Sequence, residues 1–99
     1  MTPEGKVKEL IKKFLKRHNI PYWMIVPNAY GRSTGISDVL GILGDGRFLA
    51  IEAKANGKKD NLTKNQKDFL DTIESNGGVS AVVSCQEDLD ELESLLYGK

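Results

Sequence analysis

The apolar positions first fall into a helical rhythm. Val7, Leu10, Ile11, Phe14 and Leu15 stand at i, i+3, i+4, i+7 and i+8, which aligns them as one stripe on an α-helix. Thr2 suits the N-cap and Pro3 the first helical position, and Glu4 in the first turn meets the positive end of the helix dipole. Asn19 and Pro21 predict its end. Residues 22–26 read as a strand and residues 28–37 as a loop containing Gly31, Arg32 and Gly35. Two mostly apolar runs follow at 38–43 and 47–53, and Gly44-Asp45-Gly46 between them is a hairpin signal. After a polar, basic loop at 55–62, Thr63 opens a second helix with Phe69, Leu70 and Ile73 on one side. Thr63-x-x-Gln66 has the form of a capping box, and Gly77-Gly78 stops the helix. Residues 79–84 form another apolar strand. Residues 87–97 form a last helix striped with Leu89, Leu92, Leu95 and Leu96.

The order α-β-β-β-α-β-α predicts an α/β fold, one mixed sheet with helices on both faces. The strands at 38–43 and 47–53 carry apolar residues at both parities, which suits central strands covered on both sides. The 63–77 helix would form a right-handed crossover between the third and fourth strands. Ninety-nine residues make one domain, 1–99.

Composition narrows the class. Apolar residues are 39% and charged residues 28%, values of a globular chain. No apolar run approaches the roughly 18–20 residues of a membrane helix, and the N-terminus is charged at once, with no signal core. A single cysteine, Cys85, excludes an internal disulfide and a Cys-rich zinc site. These features predict a cytoplasmic protein that does not engage a membrane. The net charge of zero hides a split: residues 1–67 hold thirteen Lys/Arg against six Asp/Glu, and residues 68–99 hold one against eight. That split predicts a basic working face.

Three charged residues interrupt the apolar strands: Asp38, Glu52 and Lys54. If the turn centres on Asp45, Leu43 pairs with Arg47, and continuing that register pairs Asp38 with Glu52. Directly opposed residues share a face with Cβ atoms about 4.5–5.5 Å apart. Lys54, two residues on, returns to the same face. A one-residue slip would separate the carboxylates. Two carboxylates this close should raise at least one pKa unless a cation neutralises them. Mg²⁺ fits, as a hard ion that takes one or two carboxylates and keeps its waters, and Mn²⁺ should substitute for it. Such an ion could polarise a phosphoryl oxygen and activate water. Lys54 could orient or help deprotonate that water, or neutralise charge developing on a phosphate.

Ser37-Asp38 followed by a strand, a turn and Glu52-Ala53-Lys54 resembles the P-D…(D/E)-x-K nuclease superfamily, with Ser in place of the motif's Pro. Gly35-Ile36-Ser37-Asp38, Ile51-Glu52-Ala53-Lys54 and Leu62-Thr63-x-x-Gln66 together resemble the VRR-NUC family, over a span from Glu4 to about Val83. The resemblance implies the restriction-endonuclease-like core. It implies that Asp38, Glu52 and the Ala53 carbonyl bind the metal, that Lys54 is the catalytic lysine, that Gln66 lies beside the site, and that Glu4 can reach the metal directly or through water. Stand-alone members, often from phages, are similar in size. Their likeness implies a homodimeric endonuclease acting on branched DNA such as Holliday junctions, in a bacterial host's cytoplasm if phage-encoded. The competing reading is a non-catalytic nucleic-acid-binding module that keeps the fold. Clustered carboxylates, which repel phosphate, argue against it.

Loops beside the site supply candidate DNA contacts: Tyr30, Arg32 and Ser33 before Asp38, and Lys58 and Lys59 after Lys54. His18 reads as a helix-end residue and Cys85 as a buried small hydrophobe. Tyr22 and Trp23 read as core or dimer contacts.

Overall fold

A computed structural model describes residues 1–25 and 35–98. Helix α1 (Pro3–Arg17) starts at Thr2, whose hydroxyl accepts the Gly5 N–H, with Pro3 at the first helical position. It stops at His18, after which Asn19 takes a left-handed φ of 56°, a conformation that Asn tolerates better than most residues. Val7, Ile11, Phe14 and Leu15 of the stripe are buried, and Leu10 packs against them.

Four strands follow in a sheet ordered β1-β2-β3-β4: β1 (Tyr22–Met24), β2 (Val39–Ile42), β3 (Phe48–Ala53) and β4 (Val79–Val83). The first two pairings are antiparallel and the third parallel. Helix α2 (Lys64–Ser75) bridges the parallel pair, and α3 (Gln86–Tyr97) closes the order. The β2–β3 register is Val39 with Ile51, Leu40 with Ala50, Gly41 with Leu49 and Ile42 with Phe48. The turn is tied by Leu43 N–H to the Arg47 carbonyl at 2.9 Å and Gly46 N–H to the Leu43 carbonyl at 2.8 Å, with Gly46 at a φ of 90°. This is the register the sequence predicts, with no slip.

The two faces of the sheet are built differently. Val39, Leu49, Ile51, Ala53, Val79 and Val83 face one way and form a single core with Val7, Ile11, Phe14 and Leu15 of α1 and Leu89 and Leu92 of α3. Each fully buried Leu, Ile or Phe contributes about 1.5–3 kcal/mol. Gly41 lets this layer pack closely, since a Cβ there would meet the Pro21 carbonyl at 3.1 Å and Ile20 at 3.2 Å and push them back by a few tenths of an ångström. The opposite face carries Leu40, Ile42, Phe48, Glu52 and Lys54. Helix α2 covers only its β3–β4 half, through Leu70 and Gln66. Two-sided burial therefore holds for β3, whereas Ile42 and Phe48 are left exposed near the hairpin.

Several expectations change accordingly. Leu95 points away from the core and is 70% exposed, so the α3 stripe is Leu89, Leu92 and, in part, Leu96. Trp23 is exposed rather than a core residue, while its neighbour Tyr22 packs against the core. Cys85 is half-buried as the N-cap of α3. The split in charge is partly folded back on itself, since Arg17 and His18 face Glu93 and Lys59 faces Asp88. Among the described residues no helix is long and apolar enough to cross a membrane.

Candidate active site

The site forms where the start of β2, the end of β3 and the first turn of α2 meet. Continuing the β2–β3 register by one pair sets Asp38 opposite Glu52. Asp38 Oδ2 accepts the Ala53 N–H at 2.8 Å, which pins the carboxylate to β3. Glu52 is 4% exposed, the most deeply set charged side chain of the sheet. Lys54 follows on the same face, its ammonium 3.9 Å from Glu52 Oε2.

Gln66 joins these groups. Its Nε2 donates to Glu52 Oε2 at 3.0 Å, and its Oε1 accepts from Lys54 Nζ at 3.2 Å. The same Oε1 accepts the Thr63 N–H at 3.0 Å, while the Gln66 N–H donates to Thr63 Oγ1 at 3.1 Å. The capping box is therefore complete, and the residue that caps the helix also positions the acid and the lysine. One side chain thus completes the cap and bonds both charged groups. Gly35 itself sits against this turn. Its φ is 76°, and a Cβ there would lie 2.5 Å from the Asn65 carbonyl oxygen.

Burial pushes the Glu52 carboxyl up to about 8, and the neighbouring Asp38 charge and hydrogen bond add to that, with Lys54 only partly opposing them. A divalent cation beside this acid would favour its charged form. The donors are hard oxygens, which suit Mg²⁺ or Mn²⁺. Among the described residues no three His, Cys, Asp or Glu side chains converge into a ready-made cage. An ion held here by Asp38 and Glu52 would keep several waters, as Mg²⁺ prefers to do. The residues fit such an ion.

The remaining candidates divide. Glu4 lies on α1 and pairs with Lys8 at 3.8 Å. Lys8 in turn stands 3.6 Å from Asp38 Oδ1, so the link from Glu4 to the site runs through it. Sequence reasoning missed Lys8, although it lies one helical turn after Glu4 and shares its face. Lys59 is engaged by Asp88 of α3 at 2.8 Å, and Lys58 is exposed beside it. Tyr30, Arg32 and Ser33 lie outside the described residues. Ser37, at the motif's proline position, is buried, and its hydroxyl finds no partner among the described residues. A cleft of about 590 Å³ lined by Arg47, Phe48, Ile73 and Gly78 shares no residue with this constellation. It opens at the far end of α2, away from the carboxylates.

The family model of the VRR-NUC domain matches residues 3–87 of the 99-residue chain. No curated protein and no solved structure matches it.

Proposed function

Since the chain belongs to the VRR-NUC family of nucleases, we propose that it is a divalent-metal-dependent DNA endonuclease, selective for branched DNA such as Holliday junctions and active as a homodimer. The observation that carries the catalytic part is the linked set Asp38, Glu52, Lys54 and Gln66, two facing carboxylates and a lysine fixed by one amide.

Asp38 and Glu52 would hold the ion, with the Ala53 carbonyl as a third oxygen. A bound Mg²⁺ supplies charge to the phosphoryl oxygen and lowers the pKa of water. Asp38 keeps its orientation through the Ala53 amide, so it needs no rearrangement to present Oδ1. Lys54 is 13% exposed and tethered to Gln66, which aims a positive charge at one place instead of letting it sweep the surface. There it orients the attacking water and offsets charge on the phosphate. Gln66 keeps Lys54 from collapsing onto Glu52 by bonding both. The residues that the sequence offers for positioning the DNA backbone are Tyr30, Arg32, Ser33, Lys58 and Lys59. The preference for branched DNA follows the family likeness. A symmetric junction offers two equivalent scissile phosphates, which suits a twofold pair of sites.

The test is cleavage of labelled linear, nicked, flapped and four-way DNA by the native protein and by Asp38→Ala, in Mg²⁺, Mn²⁺ and EDTA. Cleavage should require the metal, favour the four-way substrate and fall by about a hundredfold or more in the variant, as expected when several kcal/mol of charge stabilisation are removed. Cleavage that persists in EDTA, or that Asp38→Ala leaves intact, overturns the proposal.

A further inference from the structure

Lys8 stands at the site without a part in the mechanism above. It rises from the first half of α1, with Nζ 3.6 Å from Asp38 Oδ1 and 3.8 Å from Glu4 Oε2. Both distances exceed the roughly 2.7–2.9 Å of a charge-assisted hydrogen bond. The ammonium is therefore held between two carboxylates by charge and is not locked to either. Asp38's other oxygen is already committed to the Ala53 amide. The oxygen that faces Lys8 is the one that does not accept this amide.

We propose that Lys8 is an internal competitor for the divalent ion, occupying Asp38 and Glu4 while DNA is absent and moving to a DNA phosphate when substrate arrives. This rests on the reading that Asp38 and Glu52 hold a divalent ion. The two lysines of the site differ in the way this requires. Lys54 is tethered by Gln66 and 13% exposed, whereas Lys8 has no hydrogen bond as short as that tether to either carboxylate and its side chain is 31% exposed. A lysine's four-carbon stem lets its compact charge exchange one anion for another, and a phosphodiester offers an anion equal in sign to the carboxylate it would leave. Departure of Lys8 frees Asp38 Oδ1 and, in the same movement, Glu4.

The thermodynamic consequence is coupling. If DNA draws Lys8 away, DNA strengthens metal binding, and by reciprocity the metal strengthens DNA binding by the same factor. The nuclease would load its ion best when substrate is present. The plain alternative is that Glu4 and Lys8 form an ordinary i,i+4 surface pair with no bearing on the ion.

The experiment titrates Mn²⁺ calorimetrically into the native protein, Lys8→Gln, Lys8→Arg and Asp38→Ala without DNA. It then measures affinity for a fluorescent four-way junction in Ca²⁺ and in EDTA. Lys8→Met, which keeps the apolar stem, and thermal melts in EDTA guard against a folding loss. Lys8→Gln and Lys8→Met should bind Mn²⁺ about three- to tenfold more tightly than the native protein, the scale of a partly exposed charge pair. Lys8→Arg should stay near the native value. The gain in junction affinity from Ca²⁺ should shrink in Lys8→Gln by a similar factor. Equal or weaker Mn²⁺ binding by both neutral variants overturns the inference and leaves the metal site standing. No Mn²⁺ binding by any of the proteins overturns both.

Discussion

Two acids in this molecule are each given a lysine, and their surroundings treat them oppositely. Asp88, at the third position of α3, accepts Lys59 Nζ at 2.8 Å, the Ser84 N–H at 2.8 Å and the Ser84 hydroxyl at 3.0 Å. Burial works to raise its pKa, but those three donors outweigh it and bring the carboxyl down to about 2. Glu52 is buried beside a second carboxylate, its lysine is 3.9 Å away, and it rises to about 8. The first arrangement holds a loop and a helix start together. The second leaves a charge without adequate compensation where a cation is expected to come. Similar residue types serve stability in one place and, in the function proposed above, chemistry in the other, and the number of donors aimed at the carboxylate separates the two.

The contrast is sharpest at Glu52. Glu52→Gln should lower metal-dependent cleavage by about a thousandfold, several kcal/mol of lost charge stabilisation. Yet it should raise the melting temperature measured in EDTA, because it removes a buried ionisable group and keeps an acceptor for Gln66. A variant that melts lower than the native protein in EDTA would show that Glu52 is as well satisfied as Asp88.

Asp88→Asn should do the reverse, touching cleavage far less than Glu52→Gln does while lowering stability by about 1 kcal/mol, the usual net scale of a lost hydrogen bond. For a chain this size that is about 4–8 °C in Tm. The two acids should also give opposite pH slopes. Glu52's folded pKa lies above its ordinary 4.5, so its contribution in EDTA is full below that pH and is lost as pH rises through about 8. Asp88's lies below its ordinary 3.8, so its contribution is present above that pH and is lost as pH falls through about 2. Melting curves of the native protein and the two variants across pH 2–9 should show each slope vanish in its own variant. If both slopes disappear together in either variant, the acids are not independent.

The smallest effect is expected at Ser37. Its buried hydroxyl, next in sequence to Asp38, finds no partner among the described residues. Ser37→Ala should stabilise the protein by about 1 kcal/mol, the low end of the cost of an unmade buried hydrogen bond. A loss of stability on thermal melting would mean that the hydroxyl is in fact used.

Much of the fold and the heart of the site could be read from the chain because they depend on local rules. Gly44-Asp45-Gly46 fixes the hairpin register, and the register alone faces Asp38 toward Glu52. Thr63-x-x-Gln66 fixes the start of α2, and Thr2-Pro3 that of α1. The features that escaped are those decided by distant packing. Whether Ile42 and Phe48 are covered depends on how far α2 reaches across the sheet, which no single strand encodes. Leu95 satisfies the helical period yet lies outside the core that α1 and β4 define. Lys8 and Lys59 look like surface lysines in sequence, because the carboxylates they meet, Asp38 and Asp88, come from remote segments. The close seat of Gly35 on Asn65 is likewise visible only once α2 is docked.

The double bonding of Gln66 has a consequence for which sequences this position can accept. A capping box takes Gln or Glu at the third helical residue with similar ease. Only the amide offers an acceptor and a donor together, an oxygen for Thr63 and Lys54 and an N–H₂ for Glu52. Glu would start the helix as well, but it would set a third negative oxygen against Glu52. The alphabet of helix initiation is thus narrowed here to one letter by a neighbour fourteen residues upstream, and a substitution that leaves the helix intact would still undo the link between Glu52 and Lys54.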